Sequence, residues 1–189
     1  DDTVNRHGLH LELGNGQGIF GMVEIGYRHN QADDADRLPG TYKLGGWWHS
    51  GEFDDFRGGA SHDGIQGVYA SGEQMIYREY GDQGLNLFVR VGFAPKDRSE
   101  VDYSFQAGVS YVGLIPGRDI DIATLGLSHA HISDDLPGRT TETVVEAAYE
   151  YVMSDDFTIQ PSVQWVGDPG ATGELDDALV LGLRVNLSF

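Results

Sequence analysis

The stretch Ala178-Leu179-Val180-Leu181-Gly182-Leu183-Arg184-Val185-Asn186-Leu187-Ser188-Phe189 decides the fold. Leu179, Leu181, Leu183, Val185, Leu187 and Phe189 share one parity. Ala178, Val180, Gly182, Arg184, Asn186 and Ser188 take the other. Successive side chains of a strand point to opposite faces, so one face here is wholly apolar and the other small or polar. A strand between lipid and water has this character. A helix would mix the two sets around its circumference.

The same period of two runs through the rest of the chain. Leu85, Leu87, Val89, Val91 and Phe93 oppose Asn86, Phe88, Arg90 and Gly92. Tyr103, Phe105, Ala107, Val109 and Tyr111 oppose Ser104, Gln106, Gly108 and Ser110. Val145, Ala147, Tyr149 and Tyr151 oppose Glu146, Ala148 and Glu150, and Ile159, Pro161, Val163 and Trp165 oppose Gln160, Ser162 and Gln164. Near the start, Ile19, Val23, Ile25 and Tyr27 oppose Glu24, Gly26 and Arg28. Nine strands are expected, at 17–29, 40–50, 65–80, 84–95, 102–113, 119–133, 142–154, 156–167 and 177–189, with 1–16 a loop or partial strand. At about 3.3 Å per residue and a tilt near 45°, ten residues rise about 23 Å, close to the apolar band of an outer membrane. The fold class is therefore all-β, an antiparallel transmembrane β-barrel, with 1–189 as a single domain.

Composition agrees with this without demanding it. The mean hydropathy of −0.32 looks soluble, but alternation hides the apolar content of a membrane barrel. Nowhere do roughly 20 mostly apolar residues run together as a spanning helix needs. With no cysteine there is no disulfide framework or thiolate metal site. The net charge of −18 and the lack of a Lys/Arg cluster exclude a nucleic-acid partner. Acidic runs such as Asp33-Asp34-Ala35-Asp36, Glu52-Phe53-Asp54-Asp55 and Asp134-Asp135 fall between strands. They read first as solvated loops, and secondarily as sites where divalent ions bridge to lipopolysaccharide. The opening Asp1-Asp2-Thr3-Val4-Asn5-Arg6 is not an export signal, so a mature chain or a fragment is expected.

Connections at 81–83 and 154–156 read as tight turns. Those at 51–64, 134–141 and 168–176 are longer and rich in Gly, Asp or Pro, the asymmetry of a membrane barrel. With the C-terminus on the periplasmic side, the longer loops face outside. Tyr27, Tyr111, Tyr151, Phe157 and Phe189, near strand ends, suit an interfacial girdle as well as simple β-propensity. Two features resist. Parity taken from Met75 and Tyr77 puts Glu73 on the lipid face, so a bulge near Gly72 is expected to turn it inward. Nine strands is odd where bacterial single-chain barrels are even. Leu9-His10-Leu11-Glu12-Leu13 is short for a tenth, so an N-terminal half is expected to be missing.

The run Leu38-Pro39-Gly40-Thr41-Tyr42-Lys43-Leu44-Gly45-Gly46-Trp47-Trp48-His49-Ser50-Gly51-Glu52-Phe53-Asp54-Asp55 resembles the signature of OprB-type carbohydrate-selective porins. So do Arg6-His7-Gly8-Leu9, the segment from Gly84-Leu85 to Arg90, Gly113-Leu114-Ile115-Pro116-Gly117-Arg118-Asp119, and the last strand. The motifs follow the family's order along nearly the whole chain. The resemblance implies a bacterial outer-membrane porin, the C-terminal part of a sixteen-stranded barrel, passing mono- and oligosaccharides by diffusion through a constriction of charged and aromatic side chains. It implies a trimer or a monomer in contact with outer-membrane lipid and lipopolysaccharide. The acidic loops, Trp48 and His129 are departures from the family that bear on selectivity.

Parity sends Glu24, Arg28, Lys43, Trp47, His49, Arg90, Glu146, Glu150, Gln160, Gln164 and Arg184 to the polar, lumenal side. A Lys or Arg facing lipid costs on the order of 2–4 kcal/mol at the midplane, so inward placement is required whatever the function. One reading of each is a wall network of Arg–Glu pairs. The other is contact with sugar, expected first at Arg90, Lys43 and Trp47, then at Arg28, Glu24, Glu146, Glu150 and Arg184. No catalysis, cofactor or metal is expected. His129 and His131 have the spacing of a metal pair but lack a third ligand. Glu146 and Glu150 lie about 13 Å apart along a strand, too far for a carboxylate pair. Gly14-Asn15-Gly16-Gln17-Gly18 carries no Lys or following helix for a phosphate loop. The alternatives to a sugar porin are a non-transporting structural or adhesion barrel and a soluble all-β binding module.

Overall fold

The computed structural model describes residues 18–31 and 37–188. The short strand-like stretch Leu9–Leu13, the Arg6–Leu9 motif, Asp33–Asp36 and Phe189 lie outside the described residues. The nine strands are β1 (Phe20–His29), β2 (Gly40–Phe53), β3 (His62–Arg78), β4 (Gly84–Phe93), β5 (Val101–Val112), β6 (Ile122–Ile132), β7 (Thr141–Ser154), β8 (Phe157–Gly167) and β9 (Ala178–Leu187). They form one antiparallel sheet in strict sequence order, β1 to β9. Consecutive strands pair because each connection is short enough to return the chain directly to its neighbour. Among the described residues β1 and β9 are the sheet's two edges.

Two adjacent rungs show what the alternation builds. One reads Leu87, Val109, Leu125, Ala147, Val163 and Leu181 across β4 to β9, all apolar. The rung one residue away reads Asn86, Ser110, Thr124, Ala148, Ser162 and Gly182, small or polar throughout. The apolar face is left open: Ile25, Leu44, Leu179 and Leu181 are 72%, 64%, 70% and 79% exposed. Among the described residues the buried hydrophobic side chains are Ile65, Met75, Ile132 and Ala171. The exposed area of 13032 Å² compares with about 8,900 Å² for a soluble globular chain of 20.6 kDa. A wide apolar face without a covering layer needs an apolar solvent, which disfavours the soluble binding module.

The structure corrects several expected boundaries and one bend. β2 and β3 run further toward their shared loop, to Phe53 and from His62 rather than to 50 and from 65. β6 starts at Ile122, not 119, because Asp121 is drawn into the turn by Arg118. Glu73 needs no bulge at Gly72. The β3–β4 ladder is continuous from Val68 to Met75 and shifts only between Met75 and Tyr77. Tyr77 was the wrong reference for parity, and Glu73 shares a face with Tyr69 and Ser71. In β8, Pro161 has no N–H to give. The β7–β8 ladder passes from Ala148 opposite Ser162 to Tyr151 opposite Ile159.

The connections at 54–61, 94–100, 133–140 and 168–177 share one end of the sheet. Those at 30–39, 79–83, 113–121 and 155–156 share the other. The length contrast is weaker than expected, since 113–121 is as long as several loops opposite. The first four are tied in series rather than merely solvated. Phe56 N donates to Asp97 O (2.8 Å), Ser133 N to Glu100 O (2.9 Å) and Thr140 N to Ala171 O (2.9 Å). Asp55, expected to be solvated, holds Arg57 at 3.0 Å and His62 at 3.0 Å. Arg57 also faces Asp97 (3.5 Å) and Asp135 (3.8 Å) from the next two loops. The Arg57 side chain and backbone N–H, then His62, hold the Asp55 carboxyl well below the usual carboxylate range. Asp134 is the solvated acid the sequence suggested, 76% exposed.

Candidate functional site

The polar face carries all eight of the expected site residues, spread over five strands. Register places them. Glu24 lies on a rung with Gly45 and Tyr69, and Lys43 on the next with Ser71 and Arg90. The following rung runs Arg28, Thr41, Glu73, Phe88, Gly108, Gly126, Glu146 and Gln164. Trp47 is opposite Met22 and Gly67, nearer the loop end, and Glu150 is opposite Ile122 near the turn end. Arg184 is opposite Gln160.

Two charged pairs form where strands bring opposite signs to neighbouring positions. Lys43 Nζ is 3.1 Å from Glu24 Oε1, and the Tyr69 hydroxyl donates to Glu24 Oε2 at 2.8 Å. Arg90 Nη2 donates to Glu73 Oε1 at 3.3 Å. These groups, with Ser71 and Gln106, surround a concavity of about 390 Å³. The Arg90 and Glu73 side chains are 56% and 61% exposed. Exposed pairs of this kind add little to stability, so their hydrogen-bonding capacity is open to a solute. Glu146, Gln160, Gln164 and Arg184 line a second concavity of about 380 Å³, together with Thr124 and Phe88. Arg28, Glu146, Glu150 and Arg184 make no ion pair among the described residues. The wall is thus partly paired and partly free.

Aromatic rings on this face lie flat on glycines of the neighbouring strand. A Cβ on Gly67 would sit 2.5 Å from the Trp47 indole, one on Gly45 2.2 Å from the Tyr69 ring, and one on Gly108 2.6 Å from the Phe88 ring. Trp47 also stacks with Phe20 at 6.3 Å. Tyr69 and Phe88 join the site although the sequence reading did not single them out, and Glu73, expected to turn inward, joins it without the bulge. The signal for the aromatics was the glycine across the rung, which appears only once register is known. Trp48 and His129 stand on the opposite face, beside Gly21 and Phe105 respectively, and do not touch these concavities.

Outside the polar face, Asp55, His62 and Asp97 present three potential ligand atoms within 4.8 Å of one another. Arg57 already pairs with Asp55 and Arg98 with Asp97, so the cluster reads as a loop clasp. His131 on the apolar side bonds Asp102 at 2.6 Å and stacks on Tyr103 at 4.6 Å. At the turn end, Arg118 Nε and Nη2 donate to Asp121 at 2.7 Å each, as does the Tyr149 hydroxyl, and Val152 N follows at 2.9 Å.

The model of the carbohydrate-selective porin family OprB matches residues 1–189. The chain belongs to the OprB family. Porin B of Pseudomonas aeruginosa is 27% identical over 95% of this chain and 49% of its own length. A protein of Acinetobacter baylyi named as the porin QuiX is 25% identical over 98% of the chain and 48% of its length. A high-pH structure of Pseudomonas putida OprB superposes with a TM-score of 0.83 at 25% identity, covering 92% of this chain and 49% of that one. This OprB-family chain therefore spans about half the length of the relatives it matches. OprB porins are β-barrels of the Gram-negative outer membrane, which gives the apolar face its lipid.

Proposed function

We propose that the protein passes sugars by diffusion through a water-filled lumen lined by the polar face. The observation that carries this is the row of paired and unpaired charges, Glu24–Lys43, Glu73–Arg90, Glu146 and Arg184, interleaved with aromatic rings on one continuous wall. Selectivity in a channel comes from pore width and from the donors and acceptors along it. A sugar sheds water only where hydroxyls find replacement partners. The carboxylates accept, Lys43, Arg28, Arg90 and Arg184 donate, and Gln160 and Gln164 do both. Opposite charges side by side give many polar contacts at low net field, which suits a neutral solute better than an ion. The loop end of the sheet faces outside and the turn end the periplasm, with the apolar face against outer-membrane lipid.

Liposome swelling with the porin purified from outer membranes tests the proposal. Uptake of monosaccharides is expected well above protein-free vesicles, falling with oligosaccharide length and exceeding that of amino acids of similar size. Swelling no faster than in protein-free vesicles would instead indicate a non-transporting barrel.

A further inference from the structure

Phe88 stands out on the polar face of β4. Its strand neighbours on that face are Asn86, Arg90 and Gly92, and an apolar ring facing water needs a reason. Its rung supplies part of one: Phe88 lies opposite Gly108, which lies opposite Gly126. With no side chain at either of those two rung positions, the ring lies down across β5 and reaches β6. Its Cζ would be 2.6 Å from a Cβ on Gly108 and 3.7 Å from one on Gly126. Covering the glycines uses one face of the ring. The other face stays open, because Phe88 borders both the concavity of Glu146, Gln164 and Arg184 and the one on its far side with Glu73 and Arg90.

Polar groups stand on both sides of the ring at the same level. Glu73 is the rung partner on β3, and Glu146 is the next rung position beyond Gly126. The Arg90 guanidinium carbon lies 6.0 Å from the ring centroid. Adjacent strands are about 4.8 Å apart, so the carboxylate-bearing strands flank a strip about 20 Å wide with the ring inside it. A pyranose has an apolar C–H face and a polar rim. Lying on Phe88, it would hide that face from water while its hydroxyls reach Glu73 and Arg90 on one side and Glu146 on the other. An acyclic polyol has the same hydroxyls but no flat face to stack.

We propose that Phe88 is a stacking platform for pyranose sugars, laid on Gly108 and Gly126, and that it makes the channel favour cyclic over acyclic polyols. This rests on the sugar-porin reading above. The test is sugar-induced block of single-channel current, with glucose and sorbitol as probes, on the porin purified from outer membranes. Phe88→Leu is expected to raise the half-blocking concentration of glucose roughly fivefold, the size of an aromatic contact, with sorbitol block unmoved. Phe88→Tyr, which keeps the ring, is expected to restore glucose block. Phe88→Met is read in the same way if the Leu variant does not insert. Equal block by glucose before and after loss of the ring, or equal loss for both probes, overturns the platform. If the wild-type channel passes sugar in the swelling assay but Phe88→Leu changes nothing, this inference falls alone. If the wild type passes no sugar, the porin reading falls and takes this with it.

Discussion

Leu125→Lys is expected to destabilise the folded protein in lipid by about 2–4 kcal/mol, the cost of a lysine near the midplane of a membrane barrel's outer surface. Leu125 is 53% exposed and sits mid-rung between Val109 and Ala147, with Leu87, Val163 and Leu181 further along the same level. A lysine there has only apolar neighbours to either side and must reach for the interface. Thr124→Lys, one residue away on the other face, is the matched control and is expected to be nearly neutral. Urea unfolding from liposomes, with the midpoint compared between the two variants, checks this. A soluble protein would show the opposite order, because Leu125 would then face water.

Asp121→Ala is expected to cost about 3 kcal/mol or more, the scale for removing one member of a buried, hydrogen-bonded charge pair. Asp121 is 1% exposed and takes the Arg118 fork, the Tyr149 hydroxyl and Val152 N–H. Arg118 also donates to Val152 O at 2.7 Å and lies over the Tyr151 ring at 3.8 Å. The alanine would strand all of these donors at once and loosen the turn between β5 and β6 from β7. Arg118, then Tyr149 and Val152 N–H, hold the Asp121 carboxyl down at about 2, against the pull of burial. A depressed carboxyl stabilises the folded state fully above its unfolded value of about 3.9 and loses that contribution as pH falls toward the folded value. The unfolding midpoint of the wild type should therefore hold to about pH 4 and fall below it, and Asp121→Ala should flatten that part of the profile.

Much of this was legible in the sequence because a membrane strand carries its environment in every second residue. The stretch from Leu179 to Leu187 needed no partner to reveal which side meets lipid. The same rule placed Lys43, Arg90 and Arg184 on the polar face. It failed where parity had to be carried across an irregularity: a bulge near Gly72 was invoked to turn Glu73 inward, whereas the shift lies after Met75. It was silent about what depends on register between strands. That Tyr69 reaches Glu24, or that Phe88 finds glycines on two successive strands, follows from pairings that no single strand encodes. The loop clasp around Arg57 joins residues from three loops and was invisible for the same reason. Composition saw only acid there, and acid on a surface usually means solvation.

This chain has no cysteine, so a single introduced thiol is the one labelling site within it. Cysteines placed in turn at Leu85, Asn86, Leu87, Val89, Arg90, Val91 and Gly92 along β4, in the otherwise intact porin, test most directly that the polar face lines the sugar path. A bulky membrane-impermeant maleimide should label Asn86→Cys, Arg90→Cys and Gly92→Cys and slow sugar uptake into liposomes once attached. Leu85→Cys, Leu87→Cys, Val89→Cys and Val91→Cys should resist it and leave uptake unchanged. Labelling without alternation, labelling of the opposite set, or modification of Arg90→Cys with no effect on sugar flux would contradict it.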